Sequence, residues 1–132
     1  MKDKPIFHDV LSMMPDALQW AERQDVEGLL AFLLGNPVTP LYCFASGGSF
    51  SAVDYLALLY EHHQGMAKAL TPLSMSAVSD EALKTAKILF TTSLGKGCDE
   101  KYVAKRSAKT NPQNTCAIVR EDGDDNDVVK TL

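Results

Sequence analysis

A chain of 132 residues is long enough for one domain with a buried core, and 45% hydrophobic against 23% charged content fits a folded globular protein. The net charge of -4, with no cluster of basic and aromatic residues, argues against nucleic acid as a partner, because phosphate-backbone binding needs a basic stripe. Cys43, Cys98 and Cys116 show no CxxC spacing, which argues against a disulfide framework and a zinc centre and predicts a reducing, cytoplasmic setting.

The opening "MKDKPIFHDV" lacks the apolar core of a signal peptide, and the longest apolar stretch, residues 29–34, is too short to cross a bilayer. No membrane partner is expected. Residues 16–34 carry a helical pattern, with Leu18, Ala21, Val26, Leu29, Leu30 and Leu33 near one face and a possible break near Gln24. Pro15 and Asp16 suit its first turn, and Gly35 and Pro37 its stop. Residues 1–40 thus form an N-terminal helical segment. Trp20 and Phe32 are expected in the core or at an interface.

"LYCFA", residues 41–45, is a continuous apolar run, as expected of a strand covered on both faces. "SGGS" turns the chain, and helical periodicity resumes with Ala52, Tyr55, Leu56 and Leu59. Ser51 and Asp54 read as a capping box, which starts that helix just after the glycines and lets it run to near Gly65. A strand is expected within residues 67–78, placed at an edge or stopped early by Pro72. "SDEALKTA" is a short helix with Ser79 as its cap, and "KILFTT" the next strand. A helix over residues 99–110, closed by Asn111-Pro112, and a strand "TCAIV" follow.

Strands alternating with helices predict a three-layer α/β/α domain with a mostly parallel sheet over residues 41–120. Residues 121–132 break the rhythm as an acidic C-terminal tail, with five acids among the seven residues from Glu121 to Asp127. A fifth strand is missing from the pattern, as for a piece of a longer protein or a half that needs a partner. "DGDDND" alternates carboxylates like a calcium loop. Asp127 stands where that loop needs glycine, so a solvated tail is the better reading and no metal is expected.

Ligands of open parallel sheets sit beyond the carboxyl ends of the strands. Two loops occupy that position, "ASGGSFS" and "TTSLGKG". Glycines let the backbone bend sharply and turn N–H groups toward an anion; hydroxyls and a helix N-terminus add to the attraction. Either loop alone reads first as a plain strand-to-helix turn; the pair suggests a phosphate site. It is not a known nucleotide motif. A Walker A loop ending at Gly95-Lys96 would need glycine at Phe90 and a hydroxyl at Gly97, and the adjacent Gly47 and Gly48 do not make the dinucleotide fingerprint.

"LYCFASGGSFSAVDYLALLYEHHQG" and, farther on, "ILFTTSLGKGCDE" resemble the sugar isomerase (SIS) domain. The resemblance implies a flavodoxin-like topology and a site for a phosphorylated sugar or similar small anion, without a cofactor. It aligns Gly47, Gly48 and Ser49 with the family's first turn, and Thr92, Gly95 and Asp99 with its second. Leu94 and Gly97 depart from it, removing two hydroxyl donors; a one-residue shift aligns Thr91 and Ser93 instead. Lys96 is either a compensating charge or a solvated loop lysine. Gly47, Gly48, Ser49, Ser51, Thr92, Ser93, Gly95 and Lys96 are therefore the candidate ligand residues.

The expected function is a phosphosugar-binding domain that senses or positions its ligand. The alternatives are the N-terminal part of an aldose–ketose phosphate isomerase, or an assembly domain with a vestigial pocket. Isomerisation needs a general base, and Glu61, His62 and His63 form the only local acid–base cluster; its two histidines diverge by about 100° on a helix. No catalytic residue is assigned. Cys98 sits at a helix start, where a small residue beside a turn is the plainer account. Exposed apolar helix faces, with the pairing common among SIS domains, lead to an expected homodimer.

Overall fold

The computed structural model describes residues 7–36, 39–92 and 98–119. Helices α1 (Phe7–Ser12), α2 (Met14–Glu22) and α3 (Glu27–Leu34) precede strand β1 (Leu41–Phe44). Then come α4 (Gly48–His63), β2 (Ala67–Leu70), a 3₁₀ turn (Pro72–Ala77), α5 (Asp80–Lys84), β3 (Lys87–Thr92), α6 (Cys98–Thr110) and β4 (Thr115–Val119). The strands form one parallel sheet in the order β2-β1-β3-β4. This is the α/β architecture expected from the alternating pattern, with helices on both faces of the sheet.

Alternation along the buried strands divides the core in two. Leu41, Cys43 and Leu89 face α3 and α4, where Leu33, Val53, Ala57 and Tyr60 meet them. Phe44, Ile88 and Phe90 face the other way, onto Met75, Leu83, Val103 and Ala104. The register Cys43↔Leu89 and Phe44↔Phe90 keeps each set on its own side. A shift of one residue would exchange the two faces.

The break near Gln24 is real. Asp25 Oδ1 accepts the N–H of Glu27 at 2.9 Å, a local turn that restarts the chain as α3. The single helical face expected over residues 16–34 is therefore divided: Leu33 is buried, whereas Leu18 and Trp20 are exposed. Trp20 is not in the core of this chain, and Phe32 is half-buried against it. Pro72 ends edge strand β2 and opens the 3₁₀ turn, and Ser79 caps α5 by accepting the N–H of Ala82 at 3.1 Å.

The start of α4 differs from expectation. Ser51 does not cap the helix; Gly47 occupies that position, and α4 begins three residues before Ser51. A capping box needs its Ser in extended backbone, whereas Ser51 already lies within the first turns of α4. The reversal happens earlier because Gly47 takes φ +58°, a conformation costing an L-residue about 1–3 kcal/mol.

Three polar groups tie the layers together. Arg106 reaches from α6 to Asp80 Oδ1 at 2.8 Å and donates to the carbonyls of Met75 and Val78, binding the 3₁₀ turn to α6. Its guanidinium holds the Asp80 carboxyl below the usual range. Lys87 and Asn111, both buried, are taken up in the Discussion.

Burial also sorts the thiols. Cys43 is buried in the sheet and its pKa is pushed up to about 12 by desolvation; Cys116 is raised for the same reason, while Cys98 is exposed. Iodoacetamide at pH 8 is expected to modify Cys98 promptly, the half-buried Cys116 more slowly, and Cys43 only after denaturation. Peptide mapping of the alkylated protein checks this; rapid labelling of Cys43 in the native state would contradict the packing. Linkage gives the same sign: the folded state keeps a proton on Cys43 that the unfolded chain sheds above about pH 9, so this contribution falls as pH rises from there toward 12.

Candidate anion site at the carboxyl rim of the sheet

The strand order sets the location. From β1 the chain runs through α4 to β2 on one side, and from β3 through α6 to β4 on the other. The connections diverge between β1 and β3, and at such a switch point the carboxyl ends of neighbouring strands open into a crevice. Phe44 pairs with Phe90, and β3 runs on through Thr91 and Thr92, so the loop after β1 leaves the sheet alongside those two residues. The sheet therefore brings Gly47, Gly48, Ser49 and Ser51 to the same rim as Thr92.

The glycines make the first bend. Ala45 donates its N–H to Leu70 O at 3.2 Å, Gly47 reverses the chain, and Phe50 N–H closes onto Gly47 O at 3.1 Å. Gly48 is already helical, yet a Cβ there would meet nothing of the described chain within 4 Å. Packing within the described chain thus does not require a bare residue at Gly48, and its missing side chain leaves the backbone open to close approach. Ser49 is half-buried and Ser51 exposed.

Electrostatics separate α4 from α5 and α6. Helix α5 has Ser79 as cap and Asp80 and Glu81 in its first turn, and α6 carries Asp99 and Glu100 there. Helix α4 has neither a side-chain cap nor an acid in its first turn. Its first N–H groups, which have no partner within a helix, and the positive end of its dipole face the rim.

On the β3 side, Thr92 is buried and donates its hydroxyl to Glu100 Oε1 at 3.2 Å. That hydroxyl is committed to a carboxylate. Sequence reasoning did not anticipate Glu100: the two residues are eight apart in the chain, with no helical or strand period to relate them. Ser93, Gly95 and Lys96, with Leu94 and Gly97, lie outside the described residues, as does the acidic tail. Cys98 and Asp99 are exposed at the start of α6.

The acid–base cluster is elsewhere. Glu61, His62 and His63 end a 16-residue helix whose other end is the glycine turn, a separation of about 24 Å along the axis. The two imidazoles touch edge to face with centroids 4.7 Å apart, and Glu61 accepts the N–H of Ala67. Among the described residues no group of three or more His, Cys, Asp or Glu is placed to hold a metal ion, and no helix is long and apolar enough to cross a membrane. No protein-family model matches the chain, and neither curated proteins nor solved structures give a match.

Proposed function

We propose that this chain is a phosphosugar-binding domain of SIS type, which senses or positions a phosphorylated sugar or similar small anion at the carboxyl rim of β1 and β3. The observation that carries the reading is the start of α4: an uncapped, acid-free helix N-terminus, entered through Gly47 at positive φ, with bare Gly48 open beside it. Amide hydrogens and a helix dipole aimed at one point favour an anion there. Ser49 adds a hydroxyl donor from the same turn. The sugar-isomerase resemblance of the two strand–loop–helix segments supports the same ligand class. Binding is favoured over isomerisation because Glu61, His62 and His63 sit at the other end of α4.

Thermal-shift screening against aldose and ketose phosphates, the parent sugars and inorganic phosphate tests the proposal. At about a hundred times its dissociation constant a ligand adds about 2.7 kcal/mol, a shift of several degrees. Ser49→Ala removes one hydrogen bond to the anion and is expected to weaken binding roughly tenfold. A response to no phosphate compound, or one equal for parent sugar and sugar phosphate, would overturn the proposal.

A further inference from the structure

Helix α2 has no buried residue, although its sequence is strongly two-faced. Met14, Ala17, Leu18 and Ala21 share one side by helical spacing, with Trp20 and Glu22 at its two borders and Asp16 and Gln19 opposite. Leu18 and Trp20 are each 62% exposed. An apolar stripe of this kind forms a stable helix surface when something covers it.

Helices α3 and α4 carry the complement. Helix α4 buries Val53, Ala57 and Tyr60, yet its opposite side presents Tyr55 at 64% and Leu58 at 58% exposure. Between α3 and α4 lies a groove of about 210 Å³, walled by Leu30, Leu34, Leu56 and Leu59 and closed at one end by His63 and Gln64.

The extent of this surface points to the occupant. Of fifteen large apolar side chains exposed among the described residues, nine lie on α1, α2, α3, their links or the groove side of α4. If each leaves on the order of 100 Å² uncovered, about half of what an aromatic residue buries, they reach the roughly 800 Å² per partner of a standard interface. Among the described residues nothing covers the α2 stripe or fills the α3–α4 groove. A twofold pair satisfies both at once, and the groove's lining holds no acid to repel Glu22 at the border of the arm.

We propose that two copies of this chain associate by exchanging arms, with α2 of each copy lying in the α3–α4 groove of the other. The interface is independent of the anion site, and its test uses ligand-free protein, so failure of either proposal leaves the other standing. Sedimentation equilibrium is expected to show a dimer, and emission from Trp20, the single tryptophan, to move to shorter wavelength as dimer forms. Leu18→Glu spoils the arm and Leu59→Arg the groove; each alone is expected to weaken association by at least about tenfold. Both positions are exposed, so the helical circular dichroism is expected to persist; Leu18→Ser and Leu59→Ser replace them if it does not.

Mixing the two variants decides the geometry. Their heterodimer keeps one intact arm and groove, so association is expected to recover in the mixture. A monomer at all concentrations, a dimer indifferent to both substitutions, or variants that fail to complement each other would each overturn the arm exchange.

Discussion

Replacing Lys87 with Ala is expected to lower the free energy of unfolding by about 3 kcal/mol, the range for emptying a buried site while stranding a carbonyl. Lys87 opens β3 and is only 3% exposed. Its Nζ donates to Leu33 O at 2.6 Å and to Tyr60 Oη at 3.2 Å, while Tyr60 Oη donates to Thr39 O at 2.7 Å. Leu33 O is one of the last carbonyls of α3, which has no partner within its own helix. A cation there also meets the negative end of the helix dipole. One side chain thus joins the end of α3, the side of α4 and the start of β3.

Lys87→Met keeps the apolar stem, strands the Leu33 carbonyl and relieves the burial of a charge. Its expected cost is about 1–2 kcal/mol. Urea unfolding followed by circular dichroism measures both, with equal slopes expected for all three proteins. Amide exchange in α3 should rise more than in α6, because the anchor holds α3 and α4 and makes no bond to α6. A Lys87→Ala protein within about 0.5 kcal/mol of the parent, the usual effect of a surface change, would show that the network does not hold the layer.

Asn111→Ala is expected to cost about 2–3 kcal/mol by leaving buried acceptors unpaired. Asn111 is 7% exposed, and its Nδ2 donates toward Leu83 O at 2.9 Å, Lys84 O at 3.1 Å and Ala86 O at 2.8 Å. Two amide hydrogens serve three carbonyls where α5 ends and β3 begins. The Leu83 and Ala86 oxygens are buried there and Lys84 O part-buried; Leu83 O also accepts the N–H of Ala86 at 3.3 Å, so the loss falls mainly on the other two. Asn111→Asp separates hydrogen bonding from shape: it keeps the size but turns a donor into an acceptor facing three others. It is expected to be worse than Ala at pH 7, and to recover partly in acid, where its carboxyl is protonated. Equal stability of the Asp and Asn proteins at pH 7 would refute the assignment.

Local chemistry made most of the fold legible. The buried runs at β1 and β3, the Pro72 stop, the Ser79 cap and the restart near Gln24 depend on neighbours within a few residues, and each stands as expected. The start of α4 was misread because Ser51 and Asp54 satisfy a capping pattern that φ at Gly47 overrides. In the candidate site, the glycine turn could be anticipated from its residues and its place after a strand. The Thr92–Glu100 hydrogen bond could not, since it depends on how the chain returns from β3 into α6.

The residue pattern alone determined that this chain alternates strands and helices and that a glycine turn follows the first buried strand, because periodicity and backbone freedom are local properties. Tertiary structure alone decided that β1 and β3 are neighbours, which is what creates the switch point and its rim. It also decided that Lys87, a charged residue at the start of an apolar strand, lies buried against a helix end. Both outcomes rest on contacts between distant segments, whose energies no short window of sequence contains.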